Sequence, residues 1–221
     1  MPKLKTIDID PVDVDPDGLA QAQTPAAGGV QSLTLNGVLI SGGTYTAGDG
    51  DGARQLSVLS AADDTGRTLT VTGTDADGRA QTEAIVPANA GTKEGVKYFK
   101  TVSSITVDAD TAGALSVGTV DELVSPTYPL NRHSAVGALT QIDVTGTIDI
   151  TVEVTASDIQ SVSTDQESIP WVSTQDTGLV AITANDVGNL DAGATACRLK
   201  VNSHSSAAEV QMYISQTSSL V

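Results

Sequence analysis

The sequence predicts an all-β protein: two small antiparallel β-sandwich (jelly-roll-like) domains preceded by an extended N-terminal arm. Three observations carry this expectation. β-Branched residues are abundant, with 28 Thr, 24 Val and 12 Ile among 221 residues. Branching at Cβ suits a pleated surface and costs χ1 freedom in a helix. Apolar and polar residues alternate in short runs, broken by turn residues about every ten positions, which is the rhythm of sandwiches and barrels. No segment sustains a helical period.

The elements follow in chain order. Residues 1–29 read as an arm, because DIDPVDVDPDG packs five Asp into residues 8–17 and AQTPAAGG follows as a small-residue linker. Ile7 and Ile9 alternate with Asp8 and Asp10, so a short edge strand is expected there, limited by Pro11. A first domain over 30–120 opens with QSLTLNGVLI, where Asn36-Gly37 predicts a hairpin turn. RTLTVTG alternates Leu69 and Val71 with threonines, and Asp77-Gly78 joins it to RAQTEAIV as a tight hairpin. KYFKTVSSITVDAD and GALSVGTV give two further strands. DELVSPTYPLNRH breaks the rhythm with Pro126 and Pro129, which places a linker at 121–135. The second domain, 136–221, holds GALTQIDVTGTIDITVEVTASD with a break at Thr145-Gly146, then GLVAIT. ACRLKVNS and AEVQMYISQ read as a closing hairpin over HSSA.

Charge excludes some classes of function. The chain has 27 acidic and 11 basic residues, a net charge of −16, where a nucleic-acid binder needs a basic face. One cysteine rules out an intrachain disulfide. No run of about 18 apolar residues suggests a membrane span, and the acidic start is unlike a secretory leader. With six aromatic residues in all, the core is thin in large anchors, so stability shared with neighbouring subunits is expected.

Candidate chemistry is sparse. Asp13, Asp15 and Asp17 before Gly18 have the spacing that opens a calcium loop, but Thr24 stands where the closing Glu belongs and Pro16 interrupts. A solvated acidic arm is the plainer reading. DGDG at 49–52 and DADG at 75–78 read as turns. His133 and His204 have no second ligand nearby; His133 reads as a domain-joining hydrogen bond and His204 as an exposed hairpin tip. Cys197 reads as a buried filler. Trp171 reads as a packing anchor of the second half, with a binding role as the alternative. No nucleophile elbow or phosphate loop is present, so no enzyme, cofactor or resident metal is expected.

Several phrases resemble tailed-bacteriophage virion structural proteins, a group of head decoration (cement) and tail-associated β-sandwich proteins. They are QTPAAGGVQSLTLNG (23–37), DDTGRTLTVTGTDADGRAQTEAI (63–85) and GTKEGVKYFKTVSSITVDADTAGALSVGT (91–119). In the second half they are DITVEVTASDI (149–159), the lone Trp171 and ATACRLKVNS (194–203). The likeness covers about residues 20–216 and departs at the Asp-rich arm and at GTYTAGDGDGAR (43–54). It implies a capsid decoration protein on the outer head surface, clamping the major capsid protein and copies of itself as a trimer or dimer. A tail or head–tail junction component is the runner-up, and a glycan- or receptor-recognition module using Trp171 and Tyr45 the alternative from another class. In this reading the arm, through Ile7, Ile9, Val12 and Val14, ties subunits together by strand addition, and its removal should leave a folded domain.

Overall fold

The computed structural model describes residues 3–131, 138–159 and 165–216. It is all-β: antiparallel sheets and two single 3₁₀ turns, with no α-helix among the described residues. The strands in chain order are β1 (Lys3–Ile9), β2 (Ala20–Gln23), β3 (Gln31–Ser32), β4 (Ile40–Ser41), β5 (Thr44–Thr46), β6 (Ala53–Ser60), β7 (Leu69–Thr74), β8 (Ala80–Ile85) and β9 (Thr92–Phe99). They continue as β10 (Thr101–Val107), β11 (Leu115–Val124), β12 (Tyr128–Pro129), β13 (Leu139–Thr145), β14 (Ile148–Thr155), β15 (Val172–Ser173), β16 (Asp186–Asn189), β17 (Ala196–His204) and β18 (Glu209–Gln216).

The chain forms two compact units. An inner unit comprises Val14–Ala47 and Ala53–Asp121; a terminal unit comprises Met1–Asp13, Gly48–Gly52 and Glu122–Val221. These boundaries differ from an arm, a domain, a linker and a domain in series. The predicted arm is divided between the units. Its first strand lies in the terminal unit, while Leu19 and Ala20 are buried in the core of the inner one. The predicted linker is structured wherever it is described: the unit boundary falls inside β11, and Leu123 and Val124 pair with β17. Prolines at 126 and 129 mark a bend into β12, whose Tyr128 faces Cys197.

In the inner unit, one sheet runs β4-β5-β10-β7-β8, with β3 also on β10. The hairpin expected at Asp77-Gly78 is present: Leu69 faces Ile85 and Thr74 faces Ala80. Gly78 takes φ +77°, and the Asp75 carboxylate accepts from the Asp77 and Arg79 N–H groups at 2.9 and 2.8 Å. Leu69 and Val71 are buried while Thr70 and Thr72 are half-buried, as alternation requires. Strands β2 and β6, the first part of β11 and β9 supply the facing side, with Tyr45, Leu56, Phe99, Ile105 and Leu115 in the core. Asn36-Gly37 makes no hairpin. The Gly37 N–H donates to the Leu19 carbonyl and Asn36 Oδ1 accepts from Gln21 N. Two backbones meet there, so this glycine serves close approach rather than chain reversal.

In the terminal unit, a sheet of order β1-β18-β13-β16 faces β14, β15, β17, β12 and the end of β11. The core between them is aliphatic: Ile7, Ile9, Ile142, Ile150, Val152, Leu199, Val201, Met212 and Ile214. The closing hairpin expected over HSSA is absent. β17 pairs with β14, whereas β18 pairs with β1 and β13, so the chain crosses from one sheet to the other at 205–208. It crosses again at Thr145-Gly146. The two corners meet, with Ser205 N donating to the Thr147 carbonyl at 2.9 Å. Alternation is the same whether the next strand lies beside or opposite, which is why the sequence reads both corners alike.

Candidate functional site

The ionisable side chains show what the acidity does locally. Among the described residues, carboxylates that accept backbone N–H groups include Asp15, Asp49, Asp51, Asp63, Asp64, Asp75, Glu83, Asp108, Asp110, Asp176, Asp186 and Asp191. A carboxylate that accepts from the backbone replaces a missing ladder partner with a charge-assisted bond. Several of these bonds lie at sheet edges.

Three edges are clipped in this way. On β1, Asp51 Oδ2 accepts from Asp8 N at 3.1 Å and Asp51 N donates to the Asp8 carbonyl at 2.8 Å. Asp49, fully buried, accepts from Val12 N at 2.9 Å. DGDG is therefore more than a turn: its carboxylates hold the N-terminal strand. On β16, the Asp176 carboxylate bridges Gly178 N at 3.0 Å and Asn189 N at 2.9 Å. On β9, the buried Glu83 of β8 accepts from Val96 N at 2.5 Å and Lys97 N at 3.3 Å. Gln81 Nε2 adds a bond of 2.6 Å to the Tyr98 carbonyl. Gly95 makes room for that carboxylate, since a Cβ there would stand 2.7 Å from Glu83 Oε2.

A second constellation lies on the β14–β17 face. Arg198, 3% exposed, donates from Nε to Glu153 Oε2 at 2.7 Å and from Nη1 to Glu167 Oε1 at 2.5 Å and Gln166 Oε1 at 3.2 Å. Its guanidinium lies 4.7 Å from the Trp171 ring centroid, and Trp171 Nε1 donates to the Gln166 carbonyl at 3.1 Å. Gln166 Nε2 reaches the Ser125 carbonyl at 3.0 Å. This clasp pins the 166–171 segment onto the sheet through one shared cation. Burial raises the Glu167 carboxyl above its ordinary value, against the pull of Arg198.

The residues singled out from sequence fall as follows. Ile7 and Ile9 are buried in their own chain's core, Val12 is half-buried and Val14 exposed. The first two are thus unavailable for a neighbouring subunit, which overturns their assignment to an intersubunit arm. Asp15 Oδ1 caps Asp17 N at 3.1 Å, and the Asp15 N–H donates to Thr119 Oγ1 at 3.0 Å, so DVDPDG is a fixed turn. Among the described residues no group of three or more His, Cys, Asp or Glu is placed to hold a metal ion, and Asp13, Asp15 and Asp17 are no exception. Cys197 is buried, and desolvation pushes its thiol up. Trp171 is half-buried at the clasp instead of in the core. His204 is half-buried beside the Ser205 carbonyl; His133 lies outside the described residues. The sequence reading missed the clasp, because Glu153, Glu167 and Arg198 are far apart in the chain. It also missed the clips, since an Asp-Gly turn looks the same whether or not its carboxylate is used.

Comparison of the chain with protein families, with curated proteins and with solved structures returned no match.

Proposed function

We propose that this chain is a non-enzymatic structural protein of a phage virion, a decoration or cement protein on the outer surface of the head. The observation that carries the reading is where the ionisable groups go. Among the described residues many carboxylates bind backbone N–H groups, and Arg198 is committed to two glutamates, a glutamine and a tryptophan. Such an arrangement fixes loops and edges, which suits a chain that bears load. Sheet edges clipped by carboxylates also suit a protein crowded against many copies of itself, where open edges invite mispairing. A net charge of −16 suits the outside of a DNA-filled shell, and the phrases spanning about residues 20–216 resemble virion proteins. Strand addition by an N-terminal arm drops out of the proposal, because that arm is folded into the chain itself.

Quantitative mass spectrometry of purified virions tests the reading. Hundreds of copies per particle are expected. A dozen or fewer would move the chain to the tail or the head–tail junction, and none would remove it from the virion.

A further inference from the structure

The edges of the terminal unit's four-stranded sheet are guarded, but its outward face is not. Strand register shows which residues share that face. Leu4 stands opposite Ser215, which stands opposite Leu139, which stands opposite Asn189. One step along, Thr6, Tyr213, Gln141 and Val187 form the next row. The intervening residues Ile7, Met212 and Ile142 point into the core and are buried. Leu4, Leu139 and Val187 are 69%, 49% and 59% exposed. With half-buried Tyr213 they make an apolar zigzag between two adjacent rows across four strands. Beyond it come Asp8 and Asp143 in the third row and Glu209 opposite Thr145 in the last. Among the described residues this face carries no lysine or arginine: Lys5, opposite Ile214, belongs to the other face by register.

We infer that this face is the surface on which the chain seats on its partner, and that the partner is a protein surface with an apolar centre bordered by Lys or Arg. The inference rests on the virion reading above and names the contact through which it would act. Contiguous exposed apolar residues mark interaction surfaces, and an acidic border selects a basic rim by complementarity. A second copy is the poorer occupant. The terminal unit has 16 acidic and 5 basic residues, a net charge of −11, so two such faces repel.

The test adds purified chain to shells of the encoding phage assembled without it, and measures occupancy against concentration. Leu139→Asp with Val187→Asp is expected to bind at least about 30-fold more weakly. Asp143→Lys with Glu209→Lys, which leaves the apolar band intact, should also bind more weakly. Val38→Asp on the inner unit, where Val38 is 79% exposed, should bind as wild type does. Wild-type binding should weaken as salt rises from about 0.1 to 0.5 M. Urea midpoints confirm that each variant is folded. Undiminished binding by both double variants would overturn this inference alone. No binding by the wild-type chain would overturn the virion reading and this inference with it. A dimer in sedimentation that strengthens with salt and is lost in L139D/V187D would replace the basic partner with a second copy.

Discussion

The two units solve the same folding problem with different means. The inner unit has aromatic anchors, Tyr45 and Phe99, at the centre of its core, and a net charge of −5 from 11 acidic and 6 basic residues. Among the described residues the terminal unit's fully buried core contains no aromatic side chain, and the unit has a net charge of −11 and three separate chain segments to assemble. Both units use carboxylate–backbone bonds; the terminal unit uses them at Asp49 and Asp51 to join separate segments and at Asp176 to hold β16, and it adds the Arg198 clasp. Packing area is non-directional and tolerant, whereas charge-assisted bonds require every partner to be in place. The terminal unit should therefore be the more sensitive of the two to single polar changes.

The sharpest way to break the comparison is to delete residues 1–9. This removes β1 and two core isoleucines, so the terminal unit should lose protection in hydrogen exchange while amides of β7, β8 and β10 keep theirs. Simultaneous loss in both would show one cooperative block. Phe99→Ala should reverse the pattern, costing the inner unit about 3–5 kcal/mol in chemical unfolding. Arg198→Ala should cost the terminal unit about 3 kcal/mol, because it leaves two half-buried carboxylates facing each other without their cation. Arg198→Lys should rescue little, since one ammonium cannot reproduce the planar fork. Glu83→Gln should cost the inner unit about 1 kcal/mol by weakening the bonds to the β9 edge.

The smallest effect concerns pH. Burial holds the Glu167 carboxyl above its usual value in the folded chain, so folding takes up a proton there. Its contribution to stability falls as pH rises from the unfolded pKa through the folded one and is lowest above both. In Glu167→Gln that dependence disappears. The difference in urea midpoint between variant and wild type should move in the variant's favour as pH rises upward from the ordinary glutamate range. A difference that stays constant with pH would show that Glu167 titrates normally.

What the sequence made legible was the local pattern. Alternation in RTLTVTG and the Asp77-Gly78 turn placed β7 and β8 correctly, because both are set by neighbours in the chain. Sheet assignment was not legible at Thr145-Gly146 or at 205–208. A corner between facing sheets and a hairpin within one sheet expose the same alternating side chains. The misread arm has a physical cause too. Aspartates at every other position look solvated in isolation, and only the β18 partner and the 48–52 loop make Ile7 and Ile9 a core stripe. The clasp required bringing positions 153, 166, 167, 171 and 198 together, which no local spacing encodes. The outward band needed the β1-β18-β13-β16 register before Leu4, Leu139 and Val187 could be seen as neighbours.

The pairing of β1 with β18 has a consequence in time. Lys3 faces Gln216, so β1 finds its partner only after the strands that lie between them in the chain have been made. Contacts of such sequence separation close late, because the loop entropy comes before their reward. Until then Ile7 and Ile9 have no sheet to join, and five aspartates over residues 8–17 stand where charges beside an apolar strand oppose mispairing. The charge that first reads as a mark of an unstructured arm would then serve the interval before the arm becomes a strand.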